Sequence, residues 1–170
     1  MTAYVALLRA VNVGGRQLKM TELKRIAGEL GLGSPRTFIA SGNLLFTSDK
    51  PRAELKNLLE AALTEHMGKM IEVHLRTADE MSVAAEGDPF TDEPGNRVAA
   101  IFLDGPPASD SITNASHVAD ERLALGAREI YVHYPSGMGR SKLKIPAAAS
   151  GTARNMNSVR KLAELAKEME

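Results

Sequence analysis

Tyr4-Val5-Ala6-Leu7-Leu8 is a continuous apolar run of strand length, with no polar residue to alternate against. It reads as a central strand buried on both faces. Working outward, Met20, Leu23, Ile26, Ala27 and Leu30 recur at helical spacing. Gly31 supplies the stop, because glycine takes positive φ at little cost. Residues 36–40 and 43–47 are β-rich runs about Ser41-Gly42, the pattern of a tight hairpin. Pro51 suits a first helical turn, with Ser48 or Asp49 as cap. Leu55, Leu58, Leu59, Ala62 and Leu63 then share a face, and Gly68 ends the helix. Ile71, Val73 and Leu75 alternate with Glu72, His74 and Arg76, which predicts a half-exposed edge strand.

The order is β-α-β-β-α-β, the split βαβ or ferredoxin-like arrangement. Its first and third strands are the continuous apolar runs, as central strands should be. Its last strand alternates, as an edge strand should. The fold class expected is α+β, with a ferredoxin-like half over residues 1–76. Its helix-free sheet face needs a cover, from the second half or from a partner copy.

Residues 77–170 predict a second, incomplete half packed against the first. A short helix over 78–86 ends at Gly87-Asp88-Pro89, and a strand over 97–103 ends at Asp104-Gly105-Pro106-Pro107. Residues 109–118 form at best a weak helix, being rich in Ser, Thr and Asn. Strands over 122–125 and 129–134 flank Gly126-Ala127-Arg128, and a helix over 155–169 closes the chain. This reads β-α-β-β-α, a ferredoxin-like half without its last strand. The halves show no sequence self-similarity, so duplication is an expectation of topology alone.

The 170 residues suit one compact unit, and the apolar fraction of 44% is that of an ordinary globular protein. There is no Cys, which excludes disulfide and thiolate chemistry and fits a reducing compartment. The N-terminus shows no secretory pattern and no run approaches a membrane span, so the expected location is cytoplasmic and no membrane partner is expected. A formal net charge of zero and 4% aromatic residues disfavour a nucleic-acid partner bound by stacking. Phosphate contacts through Lys19, Arg140, Lys142 and Arg154 keep a nucleic-acid-associated role as an alternative. His66, His74, His117 and His133 lack metal-ligand spacing, so no metal or cofactor is expected. His74 and His133 read as polar-face residues of strands. The chain is expected to be a monomer or a homodimer.

Four polar motifs sit at element ends. Arg9-Ala10-Val11-Asn12-Val13-Gly14-Gly15 follows the first strand. Arg9 offers a donor fork, Asn12 a donor and an acceptor, and Gly14 and Gly15 a close backbone approach. The glycine spacing is not that of a dinucleotide or P-loop fingerprint. Turning the chain is the plainer role for this segment. Ser41-Gly42-Asn43 has hairpin-turn chemistry, and no nucleophile elbow surrounds Ser41. Gly139-Arg140-Ser141-Lys142-Leu143-Lys144 joins cations and glycine as phosphate binding requires, although a solvated turn has the same composition. Thr152-Ala153-Arg154-Asn155 opens the last helix with Asn155 as its cap. Capping does not account for Arg154, which opposes the helix dipole and so calls for an acidic partner. If that partner is a ligand, Arg154→Ala removes binding and spares stability. If it is internal, stability falls. The pair Asp120-Glu121 is a carboxylate cluster whose plainer role is a solvated loop or cap.

In this order, the four motifs resemble the family catalogued as domain of unknown function 1697, over nearly the whole chain. The resemblance implies an α+β fold of ferredoxin-like character and carries no agreed activity, substrate or catalytic residue. The chain departs from the family pattern at Ala10-Val11, where Gly-Ile is usual, and at Met156, where Trp is usual. If that aromatic stacks on a ligand, Met156 alters recognition.

The functional expectation is a cleft binding a small anionic ligand that bears phosphate or carboxylate. Arg9, Asn12, Gly14 and Gly15 form one wall, and Arg140, Ser141, Lys142, Arg154 and Asn155 the other, with Lys19, Ser41 and Asn43 contributing. The alternative is an enzyme of unknown reaction in the same cleft, which a perturbed carboxylate or His beside Ser41 or Ser141 would favour.

Overall fold

The structure, a computed structural model, describes residues 1–9, 17–38 and 42–170. The apolar run becomes β1 (Thr2–Leu8). It is followed by α1 (Met20–Glu29), β2 (Gly33–Thr37), β3 (Asn43–Ser48), α2 (Arg52–Met67) and β4 (Val73–Thr77). The strands form an antiparallel sheet in the order β2-β3-β1-β4. Tyr4, Ala6, Leu8, Leu44, Phe46, Val73 and Leu75 face Leu23, Ile26, Leu55, Leu59 and Leu63 of the two helices. Gly31 and Gly68 end those helices at φ of 79° and 70°, which is why glycine stands there. Pro51 lies one residue before α2, and no side chain caps that helix. The Ser48 hydroxyl accepts instead from the Lys50 amide, at 3.1 Å.

Two expectations change in this sheet. β2 begins at Gly33, three residues earlier than its pattern suggests, and contains Pro35. An edge strand tolerates proline because one side of its backbone has no strand to bond. β4 occupies the edge as expected but is buried rather than half exposed. His74 and Arg76 are each 1% exposed, and Ala3, Val5, Leu7 and Leu45 are fully buried beside them. Alternation of residue type marks exposure only where the polar side chains go to water. Here the Arg76 guanidinium donates to the Leu75 carbonyl at 3.1 Å.

A second antiparallel sheet contains β5 (Val98–Phe102), β6 (Arg122–Leu125), β7 (Glu129–His133) and β8 (Thr152–Asn155), in the order β6-β7-β5-β8. That is the strand order of the first sheet again, and the register repeats with it. Val5 lies between Leu45 and Arg76, and Ala100 lies between Tyr131 and Arg154. The second sheet is therefore complete, and the expectation of a missing last strand is corrected by β8. The weak helix expected over 109–118 is absent. Ser111 and Thr113 hydroxyls donate to the Ala108 and Asp110 carbonyls at 2.6 and 2.9 Å, taking acceptors that a helix would use. No helix longer than a 3-10 turn joins β7 to β8 either. Instead Leu143, Ile145 and Ala148 pack on Ile101, Ile130 and Val132.

Each fourth strand runs directly into a helix, α3 (Ala78–Glu86) after β4 and α4 (Met156–Glu168) after β8. Each helix is capped by the last residue of the strand before it. Glu80 N donates to Thr77 Oγ1 at 3.2 Å and Thr77 N donates to Glu80 Oε1 at 2.8 Å, a complete capping box. Ser158 N donates to Asn155 Oδ1 at 2.9 Å. By Cα proximity the chain divides into two compact units, residues 1–81 with 162–170, and residues 82–161. Among the described residues, no helix is long and apolar enough to cross a membrane.

Candidate functional site

The structure separates the expected site residues by role. Asn12, Gly14, Gly15 and Ser41 lie outside the described residues. Arg9 is half-buried just past β1, and its backbone amide donates to the Glu72 carbonyl at 2.9 Å. Lys19 precedes α1 with an exposed side chain, and its carbonyl accepts from the Glu22 and Leu23 amides, both at 3.0 Å. Asn43 is fully buried, and its Nδ2 donates to the Phe38 carbonyl at 3.0 Å. It closes the connection between β2 and β3.

Arg154 does not belong to a helix. It is the penultimate residue of β8, 7% exposed, on the sheet face of Ala100 and Tyr131. Its guanidinium donates to Thr152 Oγ1 at 2.7 Å and to the Ala153 carbonyl at 2.9 Å. Burial pulls its pKa down to about 10, so it stays charged at neutral pH. Asn155 is the α4 cap, as its residue type predicts. Met156 is fully buried at the first position of α4, so this side chain fills core space rather than meeting a ligand from solvent. His133, read as a polar-face residue, is likewise buried, with Nε2 3.3 Å from Glu93.

Arg140, Ser141 and Lys142 do come together. They line a cavity of about 670 Å³ with the segment from His117 to Glu121 and with Tyr134, Ser136 and Gly137. That volume lies in the range of small-molecule sites. Two segments frame it, before β6 and after β7. At their base Ser116 and Lys144 exchange backbone hydrogen bonds of 2.8 and 2.9 Å. Above them Ser136 Oγ donates to Asp120 Oδ2 and Ser141 Oγ to Glu121 Oε2, each at 2.5 Å. His117 holds a left-handed backbone with φ of 58°, a strained conformation for histidine.

Glu121 is the electrostatic hinge of the cavity. Its second oxygen accepts from the Ala119 amide at 2.8 Å. The Ser141 hydroxyl first, and that amide second, hold its carboxyl below the usual carboxylate range. Burial first, and the Glu121 charge second, push the Tyr134 phenol up, so it remains a protonated donor. By contrast Arg140 and Lys142 are exposed, and among the described residues neither has an ion-pair partner.

A pH dependence follows with a definite sign. A carboxyl whose folded pKa is depressed contributes stability that is present above its unfolded value and lost as pH falls. Glu22, held low chiefly by its hydrogen bond to His66, acts in the same direction. The melting temperature is expected to fall as pH drops through about 4.5 and below. Glu121→Gln should fall less steeply over that window. Parallel curves for the two proteins would show that the Ser141–Glu121 bond contributes nothing.

The matching family model spans residues 1–131 and is described as a protein of unknown function, DUF1697. The chain belongs to the DUF1697 family. The family match ends before Arg140 and before Thr152, whereas structural likeness runs through both. The chain is similar to a solved structure titled as that of conserved bacterial protein SP0830 from Streptococcus pneumoniae. The two share 26% identity with a TM-score of 0.81, over 98% of this chain and 99% of the other. No curated protein matches the chain in sequence.

For this DUF1697 member the residues that sequence reasoning passed over are His117, Tyr134 and Ser136, with Asp120 and Glu121 seen only as a loop or cap pair. Their signal was present but diluted. Asp120-Glu121 is an acidic pair before a strand, and two serines follow the next strand at Ser136 and Ser141. Only the antiparallel pairing of β6 with β7 places those flanks opposite one another.

Proposed function

We propose that the chain binds a small molecule carrying an anionic group, in the cavity between residues 117–121 and 134–142. The observation that carries this reading is a cavity of about 670 Å³ lined by Arg140 and Lys142, two cations without an ion-pair partner among the described residues. A guanidinium supplies a planar donor fork and an ammonium a point charge, a combination suited to phosphate or carboxylate. Tyr134 adds a protonated hydroxyl. Of the four polar motifs, this reading keeps the Arg140-Ser141-Lys142 loop as the ligand site and assigns Asn43, Arg154 and Asn155 to the fold.

A perturbed carboxylate beside Ser141 is the feature an enzymatic reading asks for, and Glu121 is one. Its chemistry favours binding instead. A carboxyl held low is a weak base near neutral pH, and the Ser141 hydroxyl that it receives also accepts the Leu143 amide at 3.2 Å. Both groups are committed to holding the loop.

The test is a thermal-shift panel of inorganic phosphate, phosphomonoesters, small carboxylates, amino acids and short RNA. A ligand at a hundredfold excess over its Kd stabilises the fold by about 2.7 kcal/mol, or roughly 5–10 °C for a chain of this size. In the Arg140→Ala/Lys142→Ala double variant that shift should vanish, while the unliganded melting temperature changes by no more than about 2 °C. A shift that persists in the double variant, or silence across the panel, overturns the reading. A response to RNA alone moves the function to nucleic-acid phosphate contacts.

A further inference from the structure

We propose that the ligand of this cavity is zwitterionic, with its anionic group on Arg140 and Lys142 and an ammonium group on the carboxylate of Asp120. The inference rests on the binding reading above and narrows its ligand class to amino acids and aminoalkyl phosphates.

The argument is one of charge and commitment. The cavity lining carries Arg140 and Lys142 against Asp120 and Glu121, with His117 and Tyr134 as the remaining titratable side chains. A purely anionic ligand would satisfy the cations and leave its charge facing two carboxylates. The two carboxylates are not alike. Glu121 is buried and both its oxygens are engaged, by the Ala119 amide at 2.8 Å and by Ser141 Oγ at 2.5 Å. Asp120 is exposed, and Ser136 Oγ donates to its Oδ2 at 2.5 Å. Among the described residues Asp120 has no other hydrogen bond and no ion pair. The Ser136 bond fixes the orientation of the carboxylate and leaves Oδ1 to accept. A charged donor from the ligand is the natural partner for an oriented carboxylate oxygen that has no ion pair among the described residues. One wall then takes the anion and the other the ammonium. Glu121 holds the loop in place and keeps the cavity neutral before the ligand arrives.

Isothermal titration of the full chain with matched pairs tests this. One pair is O-phosphoethanolamine and 2-hydroxyethyl phosphate; the other is L-alanine and L-lactate. Within each pair only the amine differs from a hydroxyl. In the pair whose anion the cavity accepts, the amine should bind about tenfold tighter. Asp120→Asn should erase that preference and retain binding of the hydroxyl member, with the melting temperature unchanged because Asp120 is exposed. Equal affinity within a pair that binds, or a preference that survives Asp120→Asn, overturns the inference and leaves the binding reading standing. Failure of all four compounds to bind overturns the inference as well. The wider anion panel then decides the binding reading separately.

Discussion

Arg154→Ala is expected to cost about 3 kcal/mol of stability, a fall of roughly 6–12 °C in melting temperature. Removing a solvated arginine from a helix start would cost almost nothing. Arg154 is neither solvated nor in the helix. It is 7% exposed in the edge strand β8, with its guanidinium bonded to Thr152 Oγ1 and the Ala153 carbonyl. Truncation removes a long packed stem and leaves the buried Thr152 hydroxyl and the Ala153 carbonyl without this donor. Arg154→Lys should recover little, since an ammonium cannot reproduce a planar fork. Thermal unfolding of the three proteins checks this. An Arg154→Ala variant that melts with the parent would return Arg154 to the list of ligand-binding candidates.

Gly151→Ala should cost about 2 kcal/mol, again seen as a drop in melting temperature of roughly 4–8 °C. The reason is space rather than φ. A Cβ at Gly151 would lie 2.8 Å from Ile101 Cγ2, 2.9 Å from the Phe102 carbonyl oxygen and 3.0 Å from Leu103 Cδ2. The carbonyl belongs to the central strand β5 and cannot move aside, so the entry to β8 must shift away from its partner. Gly139, in the cavity loop, is the control, because a Cβ there meets nothing within 4 Å. Gly139→Ala should leave melting unchanged. If the two variants behave alike, close approach of the backbone is not what requires glycine at 151.

These two residues show how a motif divides once the chain is folded. Gly151-Thr152-Ala153-Arg154-Asn155 reads locally as a helix start with an anion-binding character. Asn155 keeps the helix-start role, because capping is a local interaction between one side chain and an amide three residues on. Gly151 and Arg154 are not part of the helix start, because pairing with β5 puts them at the entry to β8 and within it. The same division applies to Ile71–Arg76. Its alternation located an edge strand correctly, yet His74 and Arg76 are buried there.

Local chemistry determined much of this protein from sequence alone. The spacing of apolar residues placed β1, α1, β3, α2 and β4 in order, glycines ended α1 and α2, and the hairpin of β6 and β7 followed from the turn at Gly126-Ala127-Arg128. Each of those signals is carried by residues a few positions apart, so periodicity and turn propensity suffice to read it. Tertiary structure alone decided three things. It made Thr152-Ala153-Arg154-Asn155 a strand, by pairing it with β5 some fifty residues earlier. It gave both sheets one strand order and register despite sequences that do not resemble each other. It brought Asp120 and Glu121 to Ser136 and Ser141 around a cavity. Pairing and enclosure are relations between distant segments, and no periodicity within either segment encodes which partner it will meet.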